Sequence, residues 1–302
     1  MTERGQNPTG VLCLAATELA ERAFAVLRRG APSIVRNLDG RGAAQWRGSP
    51  YWPSGCCGYT RRIMRIRSAM ALIGTATLGG VVLLAPAASG AAAKATNVNA
   101  LVTKAISVSA LANSVTVTGV AIQGKTTITL NLQASDEAAG QGSIEIGGGV
   151  VHAIRLGKNV YFTANSKFWK ANGGSTAAAL FTGKWVQTAA TSTIGQPLAE
   201  FLNVGTLFRE LFSANINTAD FVKGKATTVN GVRVVSINNK STTGKTTGSI
   251  YIASSGKPYL VELKSTAGNL GSVSFSDYNQ PVHPVAPKNP IDIDKLNTGT
   301  SG

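Results

Sequence analysis

Hydrophobic and polar positions change period along this chain, and the changes mark its elements. Over 97–111 the apolar residues Val98, Leu101, Val102, Ala105 and Ile106 recur at three- and four-residue intervals, one face of a helix. After Asn113 the period becomes two. Residues 114–122 are rich in Val and Thr, and 126–133 alternate, with Ile128, Leu130 and Leu132 on one face and Thr127, Thr129, Asn131 and Gln133 on the other. The same pattern predicts strands over 142–146, 150–156, 159–164, 185–188, 226–230, 232–238, 248–253, 258–265 and 272–279. One apolar and one polar face per strand describes an antiparallel sheet buried on a single side. Between the two runs of strands lies a helical insert. Residues 176–181 form a short candidate. Residues 196–212 form a stronger one, because Leu198, Phe201, Leu202, Val204, Leu207, Phe208, Leu211 and Phe212 keep helical spacing. Thr218 to Val222 reads as a turn of helix at most. Pro281, Pro284, Pro287 and Pro290 make the tail extended and bar it from a central strand.

The turns repeat a dipeptide. Gly-Lys occurs at Gly124, Gly157, Gly183, Gly224, Gly244 and Gly256, several times between two predicted strands. Glycine accepts the positive φ of a tight hairpin, and lysine resists edge-to-edge pairing, so the pattern is that of a β-meander. Its irregular spacing is not that of a repeat protein.

Composition divides the chain. The 302 residues carry a net charge of +15, but residues 1–70 hold eleven Arg, no Lys and four acids, together with all three Cys and all three Met. From residue 71 onward there are fifteen Lys and three Arg against ten acids, a net +8. The join has the form of a secretory signal: Arg61, Arg62, Arg65 and Arg67, then an apolar run from Ala69 to Leu84, then small-residue ends at Ala85-Pro86-Ala87 and Ala91-Ala92-Ala93. The run is shorter than the roughly 20 residues of a spanning helix. We expect a signal peptide over 64–93, starting at Met64 and cleaved after Ala87 or Ala93, with 1–63 an over-extended or disordered N-terminus. An uncleaved anchor, or a twin-arginine signal through Arg61-Arg62, are the rival readings. The expected location is secreted or extracytoplasmic, in the cell envelope. The mature chain, about 209 residues from Lys94, has no Cys, which excludes disulfides, thiolate metal sites and a lipidated cysteine. It suffices for one domain over 94–290, with a flexible tail over 291–302.

Candidate chemistry is thin. Residues 119–126, Gly-Val-Ala-Ile-Gln-Gly-Lys-Thr, match the phosphate-loop pattern, but the next residues read as a strand where that loop needs a helix. Ser254-Ser-Gly-Lys257 matches S-x-x-K, yet it lies in a strand-to-strand turn and no K-T-G follows. His152 and His283 are the two histidines, too few for a three-His zinc site. Glu200 and Glu210 do not make an acid–base pair. We therefore expect no enzyme, no cofactor, no metal site and no catalytic residue. Spread lysines without stacking aromatics argue against nucleic acid. They leave open contact with a membrane or cell-wall surface through the Lys-rich turns.

The stretch 151–162, Val-His-Ala-Ile-Arg-Leu-Gly-Lys-Asn-Val-Tyr-Phe, then Phe168-Trp169, and the stretch 271–282, Gly-Ser-Val-Ser-Phe-Ser-Asp-Tyr-Asn-Gln-Pro-Val, with Pro284 and Pro287 beyond, carry a resemblance. Together with the order of elements over about 95–290, they resemble the LolA-like fold and, within it, the LppX/LprG family of actinobacterial cell-envelope proteins. The resemblance implies an α+β fold: a curved antiparallel half-barrel sheet of about ten strands covered by helices, with a hydrophobic cavity for acyl chains. It implies an exported, monomeric lipid-binding carrier or sensor whose partner is a lipid or acylated ligand. The alternative is a non-enzymatic cell-envelope interaction protein that binds a protein or anionic wall polymer. Pocket-lining positions are expected at Leu130, Ile146, Phe162, Phe181, Phe201, Leu207, Leu211 and Phe212. The chain departs from the family in lacking the lipidated cysteine after its apolar run, so anchoring does not follow from the resemblance.

Overall fold

Alternation builds the sheet as the sequence pattern requires. In β2 (Thr126–Ser135) Ile128, Leu130, Leu132 and Ala134 are buried while Thr129, Asn131 and Gln133 are half-buried or exposed. The computed structural model describes residues 89–298 except 124, 213–219, 242 and 267–269. The N-terminal stretch 1–63 and all but the end of the expected signal lie outside the described residues.

The described residues begin with α1 (Ser89–Ala110), then run β1 (Ser114–Gln123), β2, β3 (Ala139–Ile146), β4 (Gly149–Leu156) and β5 (Asn159–Ala164). After α2 (Ser166–Phe181) come β6 (Val186–Ala189), α3 (Gly195–Phe201) and α4 (Val204–Leu211). A second meander follows: β7 (Phe221–Val229), β8 (Val232–Lys240), β9 (Thr246–Ala253), β10 (Leu260–Ser265) and β11 (Leu270–Ser276). The last described elements are β12 (Ile291–Asp292) and α5 (Ile293–Thr298). All strands join one sheet of order β12-β6-β5-β4-β3-β2-β1-β11-β10-β9-β8-β7. The two meanders meet at its centre, where β1 pairs antiparallel with β11, Val117 facing Phe275. Among the described residues only β12 and β6 run parallel. The α+β fold with a large, open, curved and mostly antiparallel sheet is therefore present, with twelve strands instead of about ten.

Four helices lie on one face. Asn165 caps α2 by accepting from the Phe168 amide at 2.9 Å, and ties it to β4 by accepting from the Val150 amide at 3.2 Å and to the preceding turn by donating to the Gly148 carbonyl at 2.9 Å. Gly174, at φ 74°, breaks α2 into two segments, which is why the sequence pattern predicts only its second half. Asn203 caps α4 by accepting from the Thr206 amide, and its own amide reaches the Ser135 carbonyl at the end of β2. Gly140 of β3 lets the helical layer rest on the sheet: a Cβ there would lie 2.8 Å from the Leu202 Cβ. Ser109, at the end of α1, accepts from the buried Leu260 amide of β10 at 2.9 Å.

Three expectations change. Phe221 and Val222 belong to β7, not to a helical turn. Gly224-Lys225 lies inside β7 at an irregularity in its pairing with β8, not in a turn. Residues 291–298, within the stretch expected as a tail, form β12 and α5. The phosphate-loop match spans β1, a turn and the start of β2, with no helix after it.

The tail leaves the sheet through an ordered junction. Tyr278 stacks on Tyr259 with ring centroids 4.1 Å apart and donates its hydroxyl to the Leu260 carbonyl at 2.9 Å. Burial pushes the Tyr278 phenol well above its ordinary value, with the Ser109 hydrogen bond opposing and Tyr259 adding to the shift. A raised folded-state value means that the neutral phenol's contribution is intact below about pH 10, the unfolded value, and is lost as pH rises beyond it. Tyr278→Phe is expected to cost about 1 kcal/mol at pH 8. The variant's deficit should shrink by pH 11, read from urea midpoints at the two pH values.

Candidate functional site

The eight expected lining positions enter one apolar layer between sheet and helices. Leu130, Ile146, Phe162, Phe181, Phe201, Leu207 and Leu211 are buried in it, and Phe212 is half-buried against it. The sheet contributes Leu130, Ile146 and Phe162 from inward positions of β2, β3 and β5. The helices contribute Phe181 from α2, Phe201 from α3, and Leu207 and Leu211 from α4, with Phe212 capping its end.

Two aromatic groups organise this layer. Trp169 is the hub of the first. It lies 5.4 Å edge-on from Phe168, 5.1 Å from Phe181 and 6.1 Å from Phe162, all by ring centroids. Phe208 is the hub of the second, between Phe212 at 6.2 Å and Phe275 of β11 at 5.3 Å. Phe162 and Phe181 thus meet at Trp169, and Phe212 belongs to the other group.

Within the first group two polar atoms have no partner. Trp169 Nε1 and Asn172 Oδ1 are buried and make no hydrogen bond, although the Asn172 amide donates to the Phe168 carbonyl at 2.7 Å. The two residues are three apart on α2, so the free donor and the free acceptor occupy the same helical face. Leaving such groups unpaired costs about 1–3 kcal/mol each. Asn239 of β8 is fully buried with both side-chain polar atoms unpaired.

Arg155 is the charged member. Its position on β4 shares the inward parity of Val151 and Ala153. It donates from one terminal nitrogen to the Ala199 carbonyl of α3 at 3.0 Å, and its Nε is buried without a partner. Burial pulls its pKa down. The expected lining set contains none of these four polar residues. The sequence signal for Arg155 is its inward parity in an otherwise apolar strand; Trp169 and Asn172 have no such signal, since a buried orphan is a property of packing.

The other candidates do not converge on this layer. His152 is exposed on β4, and His283 is exposed in the tail. Glu200 accepts from Gln196 on the surface of α3, and Glu210 approaches Arg209 at 3.9 Å. Ser254 lies in the β9–β10 turn. Among the described residues no group of three or more His, Cys, Asp or Glu could hold a metal, and no helix is long and apolar enough to cross a membrane.

No protein-family model matches the chain, and no curated protein matches it. Among solved structures it is similar to LprF from Mycobacterium bovis, with 10% identity over 64% of this chain and 97% of that one and a TM-score of 0.42. It is similar to the Mycobacterium tuberculosis lipoprotein LppX, with 14% identity over 62% and 98% of the two chains and a TM-score of 0.36. It is also similar to a conserved protein from Thermus thermophilus, at 8% identity, 65% and 98% coverage and a TM-score of 0.31.

Proposed function

We propose that this chain is an exported lipid-binding carrier or sensor, not an enzyme, that holds acyl chains between the sheet and its helical cover. The observation that carries the reading is the pair of unpartnered polar atoms, Trp169 Nε1 and Asn172 Oδ1, among the aromatic rings of the buried layer. A packed core gains nothing from an orphaned donor and an orphaned acceptor on one helical face. An amphiphile satisfies both: an ester carbonyl accepts from the indole, a hydroxyl donates to the amide oxygen, and the chain lies along Phe162 and Phe181. The helical cover suits such a guest. Two of its helices are short, α3 and α4 spanning 195–201 and 204–211, so the layer can open by moving one helix rather than a second sheet. Each buried methylene of a guest contributes roughly 0.8 kcal/mol, so a long chain binds without a dedicated polar clamp.

The test is lipid analysis of the full chain, purified from a bacterial host without detergent and extracted with organic solvent for mass spectrometry. About one acyl lipid per protein is expected. Phe201→Trp and Leu211→Trp enlarge buried side chains and are expected to reduce the bound lipid by more than half while the protein still unfolds cooperatively. A folded protein that yields no lipid and takes up no pyrene-labelled fatty acid overturns the reading.

A further inference from the structure

The face of the sheet turned away from the helices holds a concavity. Asn131 and Gln133 of β2, Gln141 and Ser143 of β3, His152 and Ile154 of β4, and Trp185 before β6 line a groove of about 510 Å³, with Gly142 and Ala153 at its floor. Strand register aligns these side chains. Asn131 faces Ser143 and Ser143 faces His152 in one row; Gln133 faces Gln141 and Gln141 faces Ile154 in the next. Alternation sends all six outward, because their neighbours Leu130, Leu132, Ile144 and Val151 are the buried ones. Trp185 is half-buried and its backbone is fixed, its carbonyl accepting from the Ile291 amide at 2.8 Å.

The groove's chemistry is selective by what lines it. None of these residues is Asp, Glu, Lys or Arg, although the chain from residue 71 onward carries a net +8. An anionic polymer or nucleic acid finds no cation in it. An acyl chain would desolvate three amides, at a cost of about 1–3 kcal/mol for each group left unpaired. Amides, a hydroxyl and an imidazole beside one indole suit a ligand with many adjacent hydroxyls and an apolar ring face. The Gln141 amide donates to the Gln133 carbonyl oxygen at 2.7 Å. That bond leaves the Gln133 NH₂ and the Gln141 oxygen to the groove, a donor next to an acceptor, as a vicinal diol requires. The indole offers a flat surface for the C–H face of a sugar ring. The volume lies within the roughly 300–1,000 Å³ of small-molecule sites.

We propose that this groove binds a neutral glycan, with Trp185 stacking on a ring and Asn131, Gln133, Gln141, Ser143 and His152 reading its hydroxyls. The site is independent of the lipid reading, since the side chains proposed to read the glycan lie on the opposite face of the sheet and none of them belongs to the apolar layer, which meets the groove only at the Ala153 floor. The test is isothermal titration of the full chain with soluble gluco-, galacto-, manno- and arabino-oligosaccharides, with polygalacturonate and heparin as anionic probes. Saturable binding of at least one neutral oligosaccharide is expected, unchanged between about 0.05 M and about 0.5 M NaCl. Trp185→Ala is expected to weaken it roughly tenfold or more. Ser143→Arg, which fills the groove from an outward position, is expected to abolish it at an unchanged melting temperature; it carries the test if Trp185→Ala fails to fold. Three results overturn the proposal: no neutral oligosaccharide binds, only the anionic probes bind and salt removes them, or the folded variants keep wild-type affinity.

Discussion

Phe208→Ala is expected to lower stability by about 3–5 kcal/mol, the range for truncating a fully buried phenylalanine. Phe208 has no exposed surface and joins three parts of the fold. It lies on α4, stacks on Phe212 just beyond that helix, and meets Phe275 of β11, the strand through which the second meander docks on the first. Its removal leaves a cavity where the helical cover meets the seam of the sheet. The surrounding groups are rings held from two elements, so the site cannot collapse cheaply. Phe208→Leu retains most of the apolar volume and is expected to cost less than the alanine variant. Urea unfolding distinguishes the two, with a lower midpoint and an unchanged slope if compactness is preserved. The variant also bears on the lipid reading. A cavity beside Leu207 and Leu211 that is open to an acyl guest should be stabilised by an added fatty acid, by about 2.7 kcal/mol at a hundredfold excess over its Kd. A loss of 1 kcal/mol or less would mean that Phe208 does not pack as a core residue.

The sheet was legible because its physics is local. Ile128, Leu130 and Leu132 alternate with polar residues, and an alternating strand that buries one face has little freedom to do otherwise. The hairpin glycines were legible for a similar reason: Gly157, Gly244 and Gly256 all have the positive φ that their turns require. Gly224 carries the same dipeptide but serves a different purpose. A Cβ there would collide with Ser236 Oγ of β8, so the glycine permits close approach within a strand pair, and no local rule separates that use from a turn. The apolar members of the candidate site could be named from periodicity. Its polar members could not, because the unpartnered atoms of Trp169 and Asn172 depend on which groups tertiary packing brings against them. The outer groove was hidden for a third reason. Asn131, Ser143 and His152 are ordinary polar residues on three strands, and only the register brings them into one row.

Removing residues 291–302 is expected to cost roughly 3–6 kcal/mol, although the sequence there reads as dispensable. From β11 to β12 the sheet order counts seven steps, roughly 34 Å along the sheet at about 4.8 Å per strand. Residues 277–290 make that connection, and fourteen residues reach about 46 Å when extended. The connection is long enough to cross the sheet, and its prolines reduce the freedom that folding must remove. What it delivers is specific. Ile291 and Asp292 pair with Val186 and Gln187, and Ile293 is 1% exposed. The Asp294 carboxylate accepts from Thr188 Oγ1 at 2.8 Å and from the Ala189 amide at 2.7 Å. Thr188 Oγ1 also lies 2.7 Å from Ser192 Oγ, which accepts from the Gly195 amide at the start of α3. The tail thus secures both an outer strand of the sheet and the entry to a helix that covers the apolar layer. Asp294→Ala removes only the carboxylate contacts and is expected to cost about 1.5–3 kcal/mol, the range for a hydrogen bond to a charged group. The truncation adds the burial of Ile293, about 1.5–3 kcal/mol. Hydrogen exchange gives the sharper readout. Protection should fall first at the amides of β6 and α3, while β1, β2 and β11 stay protected until global unfolding. Equal loss across the sheet, or none in the truncated chain, would show that the tail does not hold this end of the fold.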